Sequence, residues 1–374
     1  MSDPVLRLDH VDKFFGPVGK GVHAVKDICM EVARGDIVAL LGSSGCGKTS
    51  TLRMIAGFEA ASRGRILIGG REVQTLPPVK RNVAMAFEGY SLYPPLTVRE
   101  NIAFALKSSS HGTAAVADRV DEVVTMLEIG DILDRYPASI SGGQQQRASL
   151  ARALIRDADL HLLDEPMGQL EPQLRTLLRG RIKHFIKERG LTAILVTHDQ
   201  TEANALADRI AVMEAGELQQ YAAPDRIKER PANLFTGTFV GEPPMNVFPA
   251  MVSQTEESIH FDLRGGLDLV YRRDSFAPEI RDRVLNRREV VVGVRPYSVR
   301  RTEKGARATV IANQWLGDQS HIAASFADGM IVLVEHDRAD VAVGEEIDIA
   351  LHPEDLHLFD PDSGRALSHG QELA

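Results

Sequence analysis

Gly42-Ser43-Ser44-Gly45-Cys46-Gly47-Lys48-Thr49 combines spaced glycines, a lysine and a hydroxyl residue in one short run. It fills the pattern G-x-x-x-x-G-K-[ST] in full. Its glycines let backbone N–H groups close around phosphate oxygens. Lys48 supplies a point charge to the outer phosphates, and Thr49 offers a hydroxyl to Mg²⁺. Ser50 continues the cradle into the following helical stretch. A second reactive pair, Asp164-Glu165, ends the apolar run Leu160-His161-Leu162-Leu163. Asp164 would hold Mg²⁺ through water, and Glu165 would polarise the attacking water as general base. The chemistry implied is phosphoryl transfer to water, with a nucleoside triphosphate and Mg²⁺ as cofactors. His161, inside the apolar run, reads as structural.

These groups need a sheet and helices to hold them. DIVALLG is a short apolar strand running into the glycine loop, and TSTLRMIAG is helical beyond it. VLRLDHV alternates, and GRILIGG is a strand bounded by glycines. Glu100 to Lys107 and Ala115 to Ile129 carry apolar residues at threes and fours. LHLLDEP and LTAILVTHD are further strands, each after a helical stretch. That alternation predicts an α/β fold with a parallel sheet, whose strand tips place Asp164 and Glu165 beside the nucleotide. Composition shifts at GEPPMNVFPA, where Pro243 and Pro244 mark a domain entrance. The expected organisation is a nucleotide-binding domain over 1–240, with a helical subdomain at about 95–145, and a second domain over 241–374. The second domain reads as strands to its end, as in REVVVGVRP, MIVLVEH and EIDIALHP, and predicts a small β-barrel.

The 374 residues are 44% hydrophobic and carry a net charge of −9. Length of this order allows two or three domains with real cores. The acidic balance argues against a generic binder of nucleic acid or anionic membrane. Cys29 and Cys46 are too far apart in sequence for a ligand pair and read as reduced thiols. MSDPVLRLDH lacks the apolar region of a signal peptide, and no stretch approaches the roughly 20 apolar residues of a membrane span. Any membrane role is therefore expected to come through a partner.

Ser139-Ile140-Ser141-Gly142-Gly143-Gln144, ahead of the helical QQQRASLARAL, resembles the L-S-G-G-Q signature of ABC ATPases, with Ile140 in the leucine place. Its serine and glycine N–H groups at a helix N-terminus form a second anion site. With the two motifs above, the resemblance implies an ABC-type P-loop ATPase core. It implies that Ser141, Gly142, Gly143 and Gln144 face the γ-phosphate held by the other subunit of an ATP-sandwich dimer. It makes His198, after AILVTHD, the switch histidine on the γ-phosphate. It puts Phe15 in the place of the aromatic that stacks on adenine, the other reading being a core aromatic. RNVAMAFEGYSLYPPLTVRENIAFAL resembles the loop and helical subdomain that receive a coupling helix from the membrane subunit. Tyr90 and Tyr93 either line that groove or pack inside. PPMNVFPA, GVRP and HPEDLHLFDPDSGRAL resemble the all-β, OB-like regulatory region of carbohydrate-importer ATPases of the maltose type. The implied partners are transmembrane permease subunits, a second ATPase that is identical or homologous, and a solute-binding protein through the complex, with no nucleic acid. The implied place is the cytoplasmic face of the bacterial inner membrane.

Two positions depart from that pattern. Glu88 stands where the family has a glutamine that touches Mg²⁺ and the nucleotide. It keeps oxygens for the metal, loses the amide donor and adds a negative charge. Two like charges about 4 Å apart repel by roughly 4 kcal/mol at an effective dielectric of 20. Gly168-Gln169-Leu170-Glu171 replaces S-x-L-D in the loop that crosses to the partner's site. A homodimer with harmless drift and a pair of non-identical ATPases with unequal sites both accommodate this. The expected function is ATP hydrolysis powering import of a sugar, polyol or glycerol-type solute. The alternatives are import of a polyamine or anion, a nucleotide-gated subunit with weak hydrolysis, and a soluble ABC protein acting on DNA or ribosomes. The last is disfavoured by the single cassette and the absence of a heptad run.

Overall fold

Every residue of the strands Ile37–Gly42, Leu160–Asp164 and Ala193–Thr197 is buried. Strands apolar on both faces suit a parallel sheet covered on both sides. In the computed structural model of the protein, which describes residues 4–16, 21–107, 113–264 and 267–370, they form the middle of a six-stranded sheet. Its order is Glu217–Ala222, Arg209–Glu214, Ile37–Gly42, Ala193–Thr197, Leu160–Asp164, Val83–Ala86. All neighbours are parallel except the Glu217–Ala222 hairpin. The chain therefore delivers the ends of Ile37–Gly42, Leu160–Asp164 and Ala193–Thr197 to one edge. That is where ligands bind in open α/β sheets.

The helix Lys48–Ala56 packs Leu52, Met54 and Ile55 into this core and stops at Gly57, whose φ of 88° supplies a left-handed cap. A second, antiparallel sheet orders Val22–Val32, Leu6–Phe15, Arg63–Ile68 and Arg71–Glu72. The helices Val98–Phe104, Thr113–Met126 and Gly142–Leu154 make the helical region. Thr97 and Glu100 close a reciprocal capping box at the first of them. The last of them, expected from QQQRASLARAL, keeps Leu150, Ala153 and Leu154 buried on its apolar face.

The chain divides into two compact units, Met1–Pro224 and Asp225–Ala374. Residues 225–240 go with the second unit for a specific reason. Buried Arg295 donates to the carbonyls of Lys228 and Gly237, at 2.9 and 2.8 Å, and to that of Val240. Burial lowers the guanidinium pKa to about 10. This unit holds two antiparallel sheets. One orders Leu267–Arg272, Ser258–Leu263, Asn246–Gln254, Glu289–Val294, Leu356–Phe359 and Ala366–His369. The other orders Arg300–Thr302, Glu346–Ala350, Ala306–Trp315, Ser320–Phe326 and Gly329–Glu335. Phe248, Phe261 and Phe326 lie in their common core. The unit is not strand alone. Pro278–Leu285 is a helix opened by Pro278, with Ile280 and Val284 buried one turn apart.

Candidate functional site

The glycine loop joins Ile37–Gly42 to the helix Lys48–Ala56. Gly45 and Gly47 have φ of 79° and 101°, which other residues adopt only with strain. A Cβ on Gly47 would also run into the Ala24 carbonyl. Lys48 is buried, and its ammonium donates to the carbonyls of Gly42 and Ser43, both at 2.8 Å. Ser43 Oγ donates to Glu214 Oε2 at 2.6 Å, tying the loop to the neighbouring strand. Cys46 is buried, Ser44 and Gly45 are exposed, and Thr49 and Ser50 are half-buried.

Asp164 is buried at its strand tip, and its Oδ1 has no hydrogen-bond partner. Burial, and then the negative charges of Glu88 and Glu165, push its carboxyl up to about 6 against the pull of Arg53 and Lys48. An unpartnered, electron-rich oxygen among further carboxylates is a fitting environment for a hard divalent cation. Glu165 follows in the left-handed region, with φ 45°. Its Oε1 lies 3.1 Å from Nδ1 of His198, which stands just past the strand Ala193–Thr197. Behind His198, Thr197 Oγ donates at 2.6 Å to Glu202, a carboxyl that burial pushes up to about 7. Glu88 is exposed. The fold thus gathers Gly42–Thr49, Asp164, Glu165, Glu88 and His198 around one sheet edge.

Ser141 caps the helix Gly142–Leu154 in a capping box with Gln144. The contacts of this turn run to two other loops. A Cβ on Gly142 would meet Gln169 Oε1 at 2.8 Å and the Tyr90 hydroxyl at 3.2 Å, and Tyr90 Oη itself donates to Gln169 Oε1. Gln146 Nε2 donates to the Glu165 carbonyl at 2.8 Å, while its Oε1 accepts from the Gln169 N–H at 3.0 Å. Gln146 and Gln169 thus link three motifs, a role that sequence reading did not assign. Only the helical spacing of Gln146 with the buried Leu150 and Ala153 hinted that it points inward.

Phe15 ends its strand 45% exposed, with the Lys13 ammonium 4.8 Å from its ring centroid. It is not a core aromatic. Tyr93 and Tyr90 part ways. Tyr93 lines a groove of ≈ 400 Å³ with Phe58, Val79, Phe87, Phe104 and Arg152, whereas Tyr90 turns to Gln169. Arg152 braces the loop by donating to the Ser91 carbonyl at 2.8 Å and lies over the Tyr93 ring. His161 is buried, its Nε2 lies 3.1 Å from the Arg156 carbonyl, and its Nδ1 has no hydrogen-bond partner. Glu171 sits at the N-cap of Pro172–Glu188 without capping it. No helix among the described residues is long and apolar enough to cross a membrane.

A glycine loop after Ile37–Gly42, a histidine past the neighbouring strand Ala193–Thr197 and an acid pair at the tip of the next, Leu160–Asp164, have the arrangement of a P-loop nucleotide hydrolase. The particular family follows from comparison. The ABC transporter family matches residues 25–168, and the TOBE domain matches 292–359. The sn-glycerol-3-phosphate import ATP-binding protein UgpC of Cereibacter sphaeroides is 40% identical over 93% of this chain and 96% of its own. The trehalose/maltose import ATP-binding protein MalK of Thermococcus litoralis is 37% identical over 97% and 99%. A dimeric bacterial ABC transporter cassette superposes with a TM-score of 0.54 at 26% identity, covering 59% of this chain and 98% of that one. The same cassette has also been solved bound to ADP and Pi, at 25% identity. This chain belongs to the ATP-binding subunits of ABC transporters, ATPases that drive transport through membrane permease partners.

Proposed function

We propose that this chain hydrolyses ATP to power import of a sugar, polyol or glycerol-type solute, and that the pairing of His198 with Glu165 is its catalytic centre. The solute class is supported by full-length likeness to glycerol-phosphate and trehalose/maltose import subunits, which runs through both units. The chemistry is supported by the 3.1 Å contact between His198 and Glu165 at a strand tip beside the phosphate loop. Lys48 and the N–H groups of residues 42–50 bind and orient the phosphates. Asp164 and Thr49, with Glu88 in reach, would hold Mg²⁺, and the unpartnered Asp164 Oδ1 fits that task. A bound Mg²⁺ supplies charge neutralisation on the phosphate oxygens. Glu165 takes the proton of the attacking water, and His198 holds the Glu165 carboxylate and reaches the γ-phosphate. Phe15 offers an exposed face to adenine. Ser141 to Gln144 close on the nucleotide held by a second ATPase subunit, and the groove beside Tyr93 receives the permease, placing the chain on the cytoplasmic side of the membrane. Polyamine or anion import is the neighbouring alternative for the solute.

A second reading has its own observation. Glu88 is the foremost charge raising the Asp164 pKa. Together with Gly168-Gln169-Leu170-Glu171 in the loop that would cross to the partner's site, that favours weak hydrolysis in this subunit's own site and a non-identical ATPase as partner. Both readings are tested with Glu165→Gln and Mg-ATP, following the mass of this chain in solution. An ATP-dependent homodimer supports two equal sites. A chain that stays monomeric until a homologous ATPase is added supports the unequal pair. A chain that binds no ATP at all overturns both.

A further inference from the structure

The long strand Leu6–Phe15 does not pair evenly with Val22–Val32. Leu8 faces Met30 and Val11 faces Ile28, so Asp9 and His10 together stand opposite Cys29. Two residues against one is a β-bulge. In an even strand, neighbours such as Asp9 and His10 point to opposite faces. Here His10 takes φ 52°, and one ligand atom each from Asp9, His10 and Cys29 lies within 4.8 Å of the others. Carboxylate oxygen, imidazole nitrogen and thiol sulfur converge at no other such cluster among the described residues.

We propose that Asp9, His10 and Cys29 form a binding site for a borderline-soft divalent ion, Zn²⁺ being the physiological candidate, separate from the nucleotide site. Mixed S, N and O ligands are what such an ion selects, and three protein ligands leave a position for water. The outer shell is in place. Asp27 Oδ1 lies 2.6 Å from His10 Nδ1, the carboxylate–imidazole arrangement that fixes a metal-binding ring, and it would leave Nε2 to serve as the ligand. Arg65 holds Asp9 only through Oδ2, so Oδ1 remains for the ion. His10 and Cys29 are exposed, which gives the ion a path in. Closing the ligands to metal-bond distances requires side-chain movements of about 1 Å. Once bound, the ion clamps the strand that ends at Phe15 to its neighbour.

The test uses the purified full-length chain and Co²⁺, whose thiolate bond gives a near-ultraviolet charge-transfer band. The wild type shows the band, and Zn²⁺ abolishes it by competition with a Kd tighter than about 10 µM. Cys29→Ser loses the band while Mg-ATP binding persists, and His10→Ala weakens Zn²⁺ by about tenfold or more. Arg65→Gln, which removes the competing cation, tightens it. No band, a band that survives Cys29→Ser and so comes from Cys46, or Zn²⁺ affinity weaker than about 10 µM overturns the proposal.

Discussion

His198 Nδ1 and Glu165 Oε1 stand 3.1 Å apart across the tips of two neighbouring parallel strands, Leu160–Asp164 and Ala193–Thr197. Neither residue lies in its strand, since both belong to the turns that follow. The strand register alone brings them level, with Asp164 opposite Val196.

If this pair performs the proton transfer, Glu165→Gln keeps the shape of the side chain and loses the base. Phosphate release should fall by about 10²–10⁴ with ATP binding retained. His198→Ala should fall comparably, because it removes the group that holds the carboxylate. Phosphate release at the parental rate in His198→Ala would make the 3.1 Å contact incidental.

Glu88→Gln removes one of the negative charges acting on buried Asp164. The carboxyl should then ionise at lower pH, so at pH 5, below its pKa of about 6, less Mg²⁺ should be needed for half-maximal hydrolysis, while at pH 8, where Asp164 is ionised in both proteins, this route predicts little change. The direction is the informative part. A weaker metal response in Glu88→Gln would mean that Glu88 serves as a ligand in its own right.

Glu202 gives a pH signature independent of catalysis. Its pKa rises from 4.5 to about 7 in the folded protein, chiefly through burial. The folded state therefore binds the extra proton between those values. The associated stability is full below pH 4.5 and is lost as pH rises through about 7. Glu202→Gln should match the parent at pH 5 and exceed it at pH 8 by on the order of 2 kcal/mol. Thermal melts of both proteins at the two pH values measure this, and an equal difference at each would refute it.

The groove beside Tyr93 is walled by large apolar side chains that face solvent, with Phe58 54% and Val79 83% exposed. Tyr93→Asp or Phe58→Asp should abolish co-purification with the permease subunits while Mg-ATP binding by the chain stays at the parental level. Retention of the complex in both variants would place the permease elsewhere.

Gln169 touches the hydroxyl of Tyr90 and hydrogen-bonds Gln146, which in turn holds the Glu165 carbonyl. Gln169→Ala should lower kcat by several-fold to tenfold with KM for ATP little changed, since it disturbs the base and leaves the phosphate loop intact. A raised KM with unchanged kcat would assign Gln169 to nucleotide binding instead.

The local motifs were legible because their physics is local. A glycine loop between an apolar strand and a helix has one chemistry, and positive φ at Gly45 and Gly47 is a demand that the sequence states outright. The parallel core was legible for a similar reason: strands buried on both faces must be apolar throughout. The helix Pro278–Leu285 was missed because its apolar signal is two residues, Ile280 and Val284, within a strand-rich stretch. Residues 225–240 join the second compact unit through bonds from Arg295, distant in sequence, which no local run of residues reveals.

What the sequence by itself determined is the inventory of the candidate site, Lys48, Thr49, Asp164, Glu165 and His198, each at a strand end or helix start. What only the tertiary structure decided is which of them meet. The adjacency of His198 and Glu165, the pressure of Glu88 on Asp164, the bridge through Gln146 and the two-against-one bulge at Cys29 all depend on strand register and burial. Those quantities are set by packing between segments far apart in the chain, which no local run of residues encodes.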